Sequence, residues 1–288
     1  MPIDLPAWFA RIGFDSQTSS TTPSLSLLNA LIFKHTDAVP FENLDVLLGR
    51  RISLDDDDIF HKVVVAGRGG YCFELNALFA RALTALGFCV TPLSARVRVD
   101  RLRETTPPRT HFFLRVDLDD DVWFVDVGVG GLTPTCALRA PRLSNTSEQS
   151  TPHEPRRFIA VDDGLTTRLN GDQPQGPARF IHQALRSTWL DVCEFTFEQM
   201  PAIDREIANW FTSAHPQSHF KNRLVAARTA GPGVRHTLLN RDYTCRRDGA
   251  TVTTRLQSHK DIDAVLADVF GICGVSVTDP AFVCPGLD

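Results

Sequence analysis

Gly67-Arg-Gly-Gly-Tyr-Cys-Phe-Glu-Leu-Asn76 is the stretch on which the reading of this chain turns. The adjacent glycines Gly69 and Gly70 allow a sharp bend, because a residue without Cβ tolerates positive φ. Beyond them Leu75, Leu78, Phe79, Ala82, Leu83 and Leu86 recur at helical spacing, and Gly87 is a natural stop. The pattern therefore places Cys72 in the first turn of a helix, directly after a tight turn. Unpaired N–H groups and a partial positive charge gather at such a terminus, and both favour a thiolate over a thiol. Cys72 is thus the candidate nucleophile. The competing reading of a cysteine at this place is a small buried hydrophobe.

The sequence before this stretch reads as mainly helical. Ala7–Ile12 is a short amphipathic piece, and Ser24 is an N-cap for a helix over Leu25–His35. Val39-Pro-Phe-Glu-Asn-Leu-Asp45 reads as a turn or loop, since Pro40 disfavours helix in the residue before it. The run Asp55–Asp58 is a charged helix start ahead of Ile59–Val65, or simply a solvated acidic face.

From Phe88 the apolar period changes to two. Cys89–Leu93, Ala95–Val99, His111–Leu118, Val122–Val127, Phe158–Val161 and Thr166–Leu169 read as strands, which suggests a β-barrel or sandwich. Ala140–Arg157, rich in Pro, Ser, Thr and charge, reads as an exposed loop. After Glu198 the pattern mixes. Helices are expected over Ile203–Phe211 and Ile262–Phe270, with short strands at Arg223–Ala227, His236–Leu239 and Thr251–Leu256.

The strand that opens with His111 turns at Asp119–Asp120 and returns through Val122-Trp-Phe-Val-Asp-Val127. A loop of two or four residues puts His111 and Asp126 on the same face of the pair, within cross-strand or diagonal reach. A three-residue loop would put them on opposite faces. Asp126 has an apolar setting between Phe124 and Gly128-Val-Gly-Gly131, so its carboxylate needs a polar partner, and a histidine N–H suits it. Cys72, His111 and Asp126 together supply a nucleophile, a base and a group to orient the base. A satisfied structural His–Asp pair is the blander reading.

Bulk properties narrow the remaining classes. The 288 residues are 43% hydrophobic and 22% charged, with formal net charge -4 and no basic block, so nucleic acid is not an expected partner. No stretch approaches the ~20 apolar residues of a membrane span. Met1–Phe14 lacks the marks of a secretory signal. Seven cysteines at 72, 89, 136, 193, 245, 273 and 284 form no Cys-x-x-Cys pair, and a cytoplasmic protein with reduced thiols is expected. Cys89 and Cys273 lie in apolar runs and read as packing residues. His215 and His219 have helical spacing, but Pro216 disfavours helix at His215, so no metal site is expected. Gly67-x-Gly-Gly lacks the Gly-Lys-Ser/Thr of a nucleotide phosphate loop.

Taken together, Val39-Pro-Phe-Glu-Asn-Leu-Asp45, Arg68-Gly-Gly-Tyr-Cys-Phe-Glu-Leu-Asn76, His111 on a strand and Trp123-x-x-Asp-Val-Gly128 closely resemble the arylamine N-acetyltransferase family. Ala10-Arg-Ile-Gly13, Leu86-Gly-Phe88, Asn209-Trp-Phe-Thr-Ser213 and Ser218-His-Phe220 extend the resemblance over nearly the whole chain. It implies an α+β fold in three domains: a helical N-terminal domain (1–87) carrying the nucleophile, a central β-barrel (88–197) carrying His and Asp, and an α/β lid (198–288). It also implies a Cys72–His111–Asp126 triad, no permanently bound cofactor, and acetyl-CoA as co-substrate with an arylamine or arylhydrazine as acceptor. By the same analogy Phe41, Thr110 and Val129 are candidates for the acceptor pocket, and Phe211, Gln217 and Ser218 for the CoA side. Val129 departs from the family, whose members often carry Phe there. Two other outcomes fit the same three residues: an amide synthase of this family acting on a polyketide thioester, and a cysteine protease. Glu42 and Arg68 flank the motifs and are expected to pair across the bend.

Overall fold

The structure, a computed structural model, describes residues 2–141, 147–161 and 178–287. Helix α1 (Leu5–Ile12) starts two residues earlier than the apolar pattern indicates. The Asp4 side chain accepts the Ala7 N–H at 3.0 Å, Pro6 fits the first turn, and Gly13 ends the helix in the left-handed region. Helix α2 (Leu25–Ala38) carries the expected Ser24 cap on the Leu27 N–H and runs three residues past His35. Strand β1 (Phe41–Glu42) and the short α3 (Leu44–Leu47) follow. Asp55 caps α4 (Asp56–Phe60) through the N–H groups of Asp57 and Asp58, so the acidic run is both a solvated face and a helix start. A π-helical turn, His61–Val65, completes that element. Helix α5 (Cys72–Ala85) begins at the nucleophile candidate, and its apolar face, Leu75, Leu78, Phe79, Ala82 and Leu83, is buried against α1 and α2.

Seven antiparallel strands come next: β2 (Cys89–Val97), β3 (His111–Leu118), β4 (Asp121–Val125), β5 (Leu138–Arg139), β6 (Arg156–Ala160), β7 (Phe180–Leu185) and β8 (Trp189–Gln199), in spatial order β5-β4-β3-β2-β8-β7-β6. Every strand of the seven contributes to one aromatic core, and the Phe124 and Phe158 rings from opposite ends of the order lie 5.4 Å apart. That contact requires the sheet to curl into a nearly closed barrel. The two strands expected at Cys89–Leu93 and Ala95–Val99 are one strand, whose register against β8 shifts between Leu93 and Ala95. Thr166–Leu169 lies outside the described residues.

The chain then forms α6 (Ala202–Ala214), α7 (His219–Asn222), β9 (Val225–Thr229), β10 (Val234–Leu239), β11 (Asp242–Arg247), β12 (Ala250–Arg255) and α8 (His259–Asp268). Its strands make a second antiparallel sheet, β1-β9-β10-β11-β12, over which α8 and Phe270 build a separate apolar core with Leu44 and Leu47. Strand β1 therefore belongs by sequence to the helical segment and by hydrogen bonding to the last sheet, with Phe41 opposite Ala227 and Glu42 opposite Ala226.

Three expectations are corrected. Ala140–Arg157 is not simply an exposed loop: residues 142–146 lie outside the described residues, but Glu154 and Arg156 are buried and Arg156 opens β6. Cys89 and Cys273 are exposed, because Cys89 starts β2 on its outer face and Cys273 follows the buried Ile272. Strand β11, which the apolar pattern does not mark, pairs along its full length with β10 and β12.

Candidate active site

The β3–β4 hairpin has a two-residue loop, with Leu118 opposite Asp121 and Asp119 at φ 54°. Continued past its last ladder pair, Leu114 opposite Val125, this register puts Asp126 across from Phe113 and diagonal to His111. The two side chains meet: His111 Nε2 lies 2.7 Å from Asp126 Oδ2, with both groups buried. The other carboxylate oxygen, Oδ1, accepts the Gly128 N–H at 2.9 Å and the Asn76 amide at 3.0 Å. Asp126 thus has partners for both oxygens, as a buried carboxylate requires.

Because Nε2 is taken by Asp126, Nδ1 is the ring nitrogen left to serve Cys72, whose sulfur is among the groups that act electrostatically on the imidazole. Burial opposes the imidazolium charge. The Asp126 carboxylate, its hydrogen bond and the Cys72 sulfur outweigh burial and push the ring up to about 10. At neutral pH the ring is therefore cationic beside the sulfur. The sulfur also lies 3.8 Å from the Thr110 carbonyl, which brings Thr110 to the site through its backbone.

The bend before Cys72 is held electrostatically. Arg68 donates to Glu42 Oε1 from Nε at 3.0 Å and Nη2 at 2.7 Å, so the expected pair forms. Glu42 Oε2 accepts the Leu44 N–H at 2.8 Å. Lys62 lies 2.7 Å from both Asp45 and Glu74, and Glu74 reaches back to the Tyr71 N–H at 3.0 Å, capping α5. Neither glycine of the bend has room for a side chain: a Cβ at 69 would stand 2.1 Å from the Pro40 carbonyl oxygen, and one at 70 would stand 2.7 Å from a Glu74 oxygen.

Asn76 is the site residue that pattern reasoning did not single out. It lies one turn after Cys72 on the same helix face, spacing that was available as a signal. Its amide nitrogen bonds the Phe112 carbonyl at 2.8 Å as well as Asp126, and its oxygen accepts the Val127 N–H at 3.0 Å. One side chain thereby ties α5 to both arms of the hairpin. Asn209 of α6 plays a similar part at the neighbouring residue, accepting from the Tyr71 hydroxyl and donating to the Ile52 carbonyl.

The remaining candidates divide. Phe41 packs its ring on Phe220 and beside Gly130, next to the Gly128–Gly131 loop that carries the half-buried Val129. Phe211 stacks on His215 at 4.4 Å, and Gln217 is exposed. Ser218 is buried, its hydroxyl engaged with the Thr212 carbonyl and the Phe220 N–H, so it holds the α6–α7 turn. His215 ends α6 and His219 opens α7, so the two histidines do not share a helix face.

A sequence model described as N-acetyltransferase matches residues 24–277. An arylamine N-acetyltransferase of Mycobacterium tuberculosis is 38% identical over 278 residues, spanning 94% of this chain and 90% of that protein. The chain belongs to the arylamine N-acetyltransferase family. An Escherichia coli arylamine N-acetyltransferase is 35% identical over 98% of this chain and 95% of its own length. The solved arylamine N-acetyltransferase of Mycobacterium marinum in complex with CoA superposes with a TM-score of 0.82 at 34% identity, covering 93% of each chain. This arylamine N-acetyltransferase family member thus shares the fold over its whole described core. No helix among the described residues is long and apolar enough to cross a membrane.

Proposed function

We propose that this chain transfers an acetyl group from acetyl-CoA to the nitrogen of an arylamine or arylhydrazine through a thioester on Cys72. The observation that carries the reading is the buried His111–Asp126 hydrogen bond beside Cys72 at the start of α5. The family and the CoA complex of the M. marinum relative support the donor. The division into 1–87, 88–197 and 198–288 is part of the same reading, with the nucleophile in the first unit and the base and its carboxylate in the second.

In the first half-reaction the Cys72 thiolate attacks the thioester carbonyl of acetyl-CoA. The C–S bond to CoA breaks, and His111 gives its proton to the departing sulfur. N–H groups of the first turn of α5 stand beside the oxyanion of the tetrahedral intermediate. In the second half-reaction the amine nitrogen attacks the Cys72 thioester, His111 takes a proton from that nitrogen, and the C–S bond to Cys72 breaks. The thiolate and imidazolium are then restored. One nucleophile splits the transfer into two easier steps, with ping-pong kinetics. An arylamine is largely unprotonated at neutral pH, so its lone pair is available, whereas an alkylamine is mostly ammonium.

Phe41, Thr110 and Val129 are assigned to the acceptor pocket. Phe211 and Gln217 are assigned to the CoA side, with Ser218 fixing the turn between them. Seven cysteines without a Cys-x-x-Cys pair fit a cytoplasmic location. The test is mass spectrometry of tryptic peptides after incubation with acetyl-CoA. An acetyl adduct on the Cys72 peptide, discharged by aniline or phenylhydrazine, is expected. Absence of the adduct, or its spread over several cysteines, overturns the reading.

A further inference from the structure

Three arginines from three different elements converge on one loop behind the thiol. Arg186, in the β7–β8 turn, donates to the Gly131 carbonyl at 3.2 Å. Arg156, the first residue of β6, donates to the Leu132 carbonyl at 2.8 Å and the Thr133 carbonyl at 3.3 Å. Arg235, from β10 of the other sheet, donates to the same Thr133 carbonyl at 2.7 Å. Three successive carbonyls, 131 to 133, are thus held by guanidinium groups. Glu154 sits among the three cations, paired with Arg156, 2.9 Å from Arg235 and 3.8 Å from Arg186.

The other end of this loop is at the chemistry. Gly128 packs on the Cys72 backbone, and Gly130 lies against the Phe41 ring. Between the two ends, the Thr133 hydroxyl closes the loop by accepting the Val129 N–H at 3.1 Å and donating to the Gly130 carbonyl at 2.8 Å. We propose that Arg156, Arg186 and Arg235, gathered round Glu154, are positioning residues for the acceptor half of the reaction: they fix the Gly128–Thr133 loop at the depth that leaves a slot for an aromatic ring beside the thioester. The proposal rests on the function given above.

The arrangement is costly if it is only structural. Burying three cations around one carboxylate carries a desolvation penalty that simple apolar packing would avoid. Burial lowers both Arg235 and Arg186 to about 10 despite Glu154. Burial works against the Glu154 charge, yet the three arginines hold its carboxyl down to about 2. What this cost achieves is precision in a backbone segment that has no regular secondary structure. A flat acceptor has little besides ring contacts to set its nitrogen against the carbonyl carbon, and such alignment is sensitive to displacements well under 1 Å. Acetyl-CoA brings a long nucleotide portion whose remote contacts anchor it independently of this loop. His111 is held by Asp126, which Asn76 braces in turn, and none of these bonds involves the arginines.

Arg186 is the least buried of the three and makes a single contact with the loop, so it is the residue to vary. The full-length protein carrying Arg186→Met is compared with wild type in two rapid-mixing measurements. One is the burst of CoA released on adding acetyl-CoA without acceptor, and the other is discharge of acetyl-Cys72 by aniline or by an aminonaphthalene. The burst rate is expected to stay within about twofold while discharge slows about tenfold, mainly through acceptor KM, with a changed ratio between the two amines. Arg186→Lys, which keeps a donor for the Gly131 carbonyl, should recover most of the loss, and it carries the test should the methionine variant not fold. Equal slowing of both half-reactions, or no slowing of discharge, overturns the proposal. A wild-type protein that shows no burst at all sinks the function itself instead.

Discussion

Gly128 lies flat against Cys72: a Cβ at that position would stand 2.9 Å from the Cα of Cys72 and 2.9 Å from the amide nitrogen of Asn76. The obstruction on one side is helix backbone, which cannot swing aside as a side-chain tip can. Gly128→Ala is therefore expected to push the segment that carries Asp126 off α5. A loss of about a hundredfold in kcat/KM and of about 1–3 kcal/mol in stability should follow. Steady-state acetyl transfer and urea denaturation measure the two, and an alanine variant with wild-type activity would contradict the close approach.

Asn76 bonds three buried groups: the Phe112 carbonyl, Asp126 and the Val127 N–H. Asn76→Leu strands them in a buried setting at a cost of about 1–3 kcal/mol. Asp126 keeps His111 and the Gly128 N–H, so the imidazole is loosened rather than released. We expect kcat to drop about tenfold, equivalent to about 1.4 kcal/mol of barrier. Unchanged kcat in a destabilised variant would mean that Asn76 serves the fold alone.

His111 gives a pH dependence whose sign is fixed. Its pKa in the folded protein is raised from 6.5 to about 10. The stabilisation it contributes is therefore complete below the unfolded value and is lost as pH rises from about 6.5 through about 10. Stability curves of wild type and Asp126→Asn should accordingly converge toward alkaline pH. An NMR titration should find the ring still protonated at pH 8; an inflection near 6.5 would rule out the cationic imidazole.

Arg68 and Glu42 are both buried, and each is the other's principal counter-charge. Arg68→Met leaves Glu42 with the Leu44 N–H and should cost about 3–5 kcal/mol. Pairing it with Glu42→Gln removes the stranded charge and should regain part of that loss. Chemical denaturation of the two singles and the double gives the coupling, and strictly additive losses would show that the pair does not hold the bend.

Much of the site was legible in the sequence because its parts are local. The glycine pair and the apolar periodicity put Cys72 at a helix start. Alternation, together with a turn of even length, put His111 and Asp126 on one face. Partners distant in sequence were harder to read. Asn76 carries no pattern signal beyond its spacing from Cys72. Glu154 and Arg156 sit in a stretch rich in proline, serine and charge, a composition that usually means solvent, and only the folded chain brings Arg235 to them. Strand β11 escaped notice because Asp242–Arg247 has no buried face: it is half-covered along most of its length and lies beside the wholly exposed β12. Cys89 and Cys273 are exposed despite apolar neighbours, because such neighbours do not determine which way a terminal residue points.

Phe41 and Glu42 pair with β9, while the Glu42 N–H also bonds the Gly70 carbonyl at 2.8 Å, two residues before the thiol. The last third of the chain is therefore sutured to the nucleophile's own loop. Asn43 adds a second stitch, to Phe220, Arg223 and Val225. A segment attached in this way cannot hinge away as a rigid body without tearing the turn that presents Cys72. Excising the C-terminal segment would therefore disturb the turn that carries Cys72.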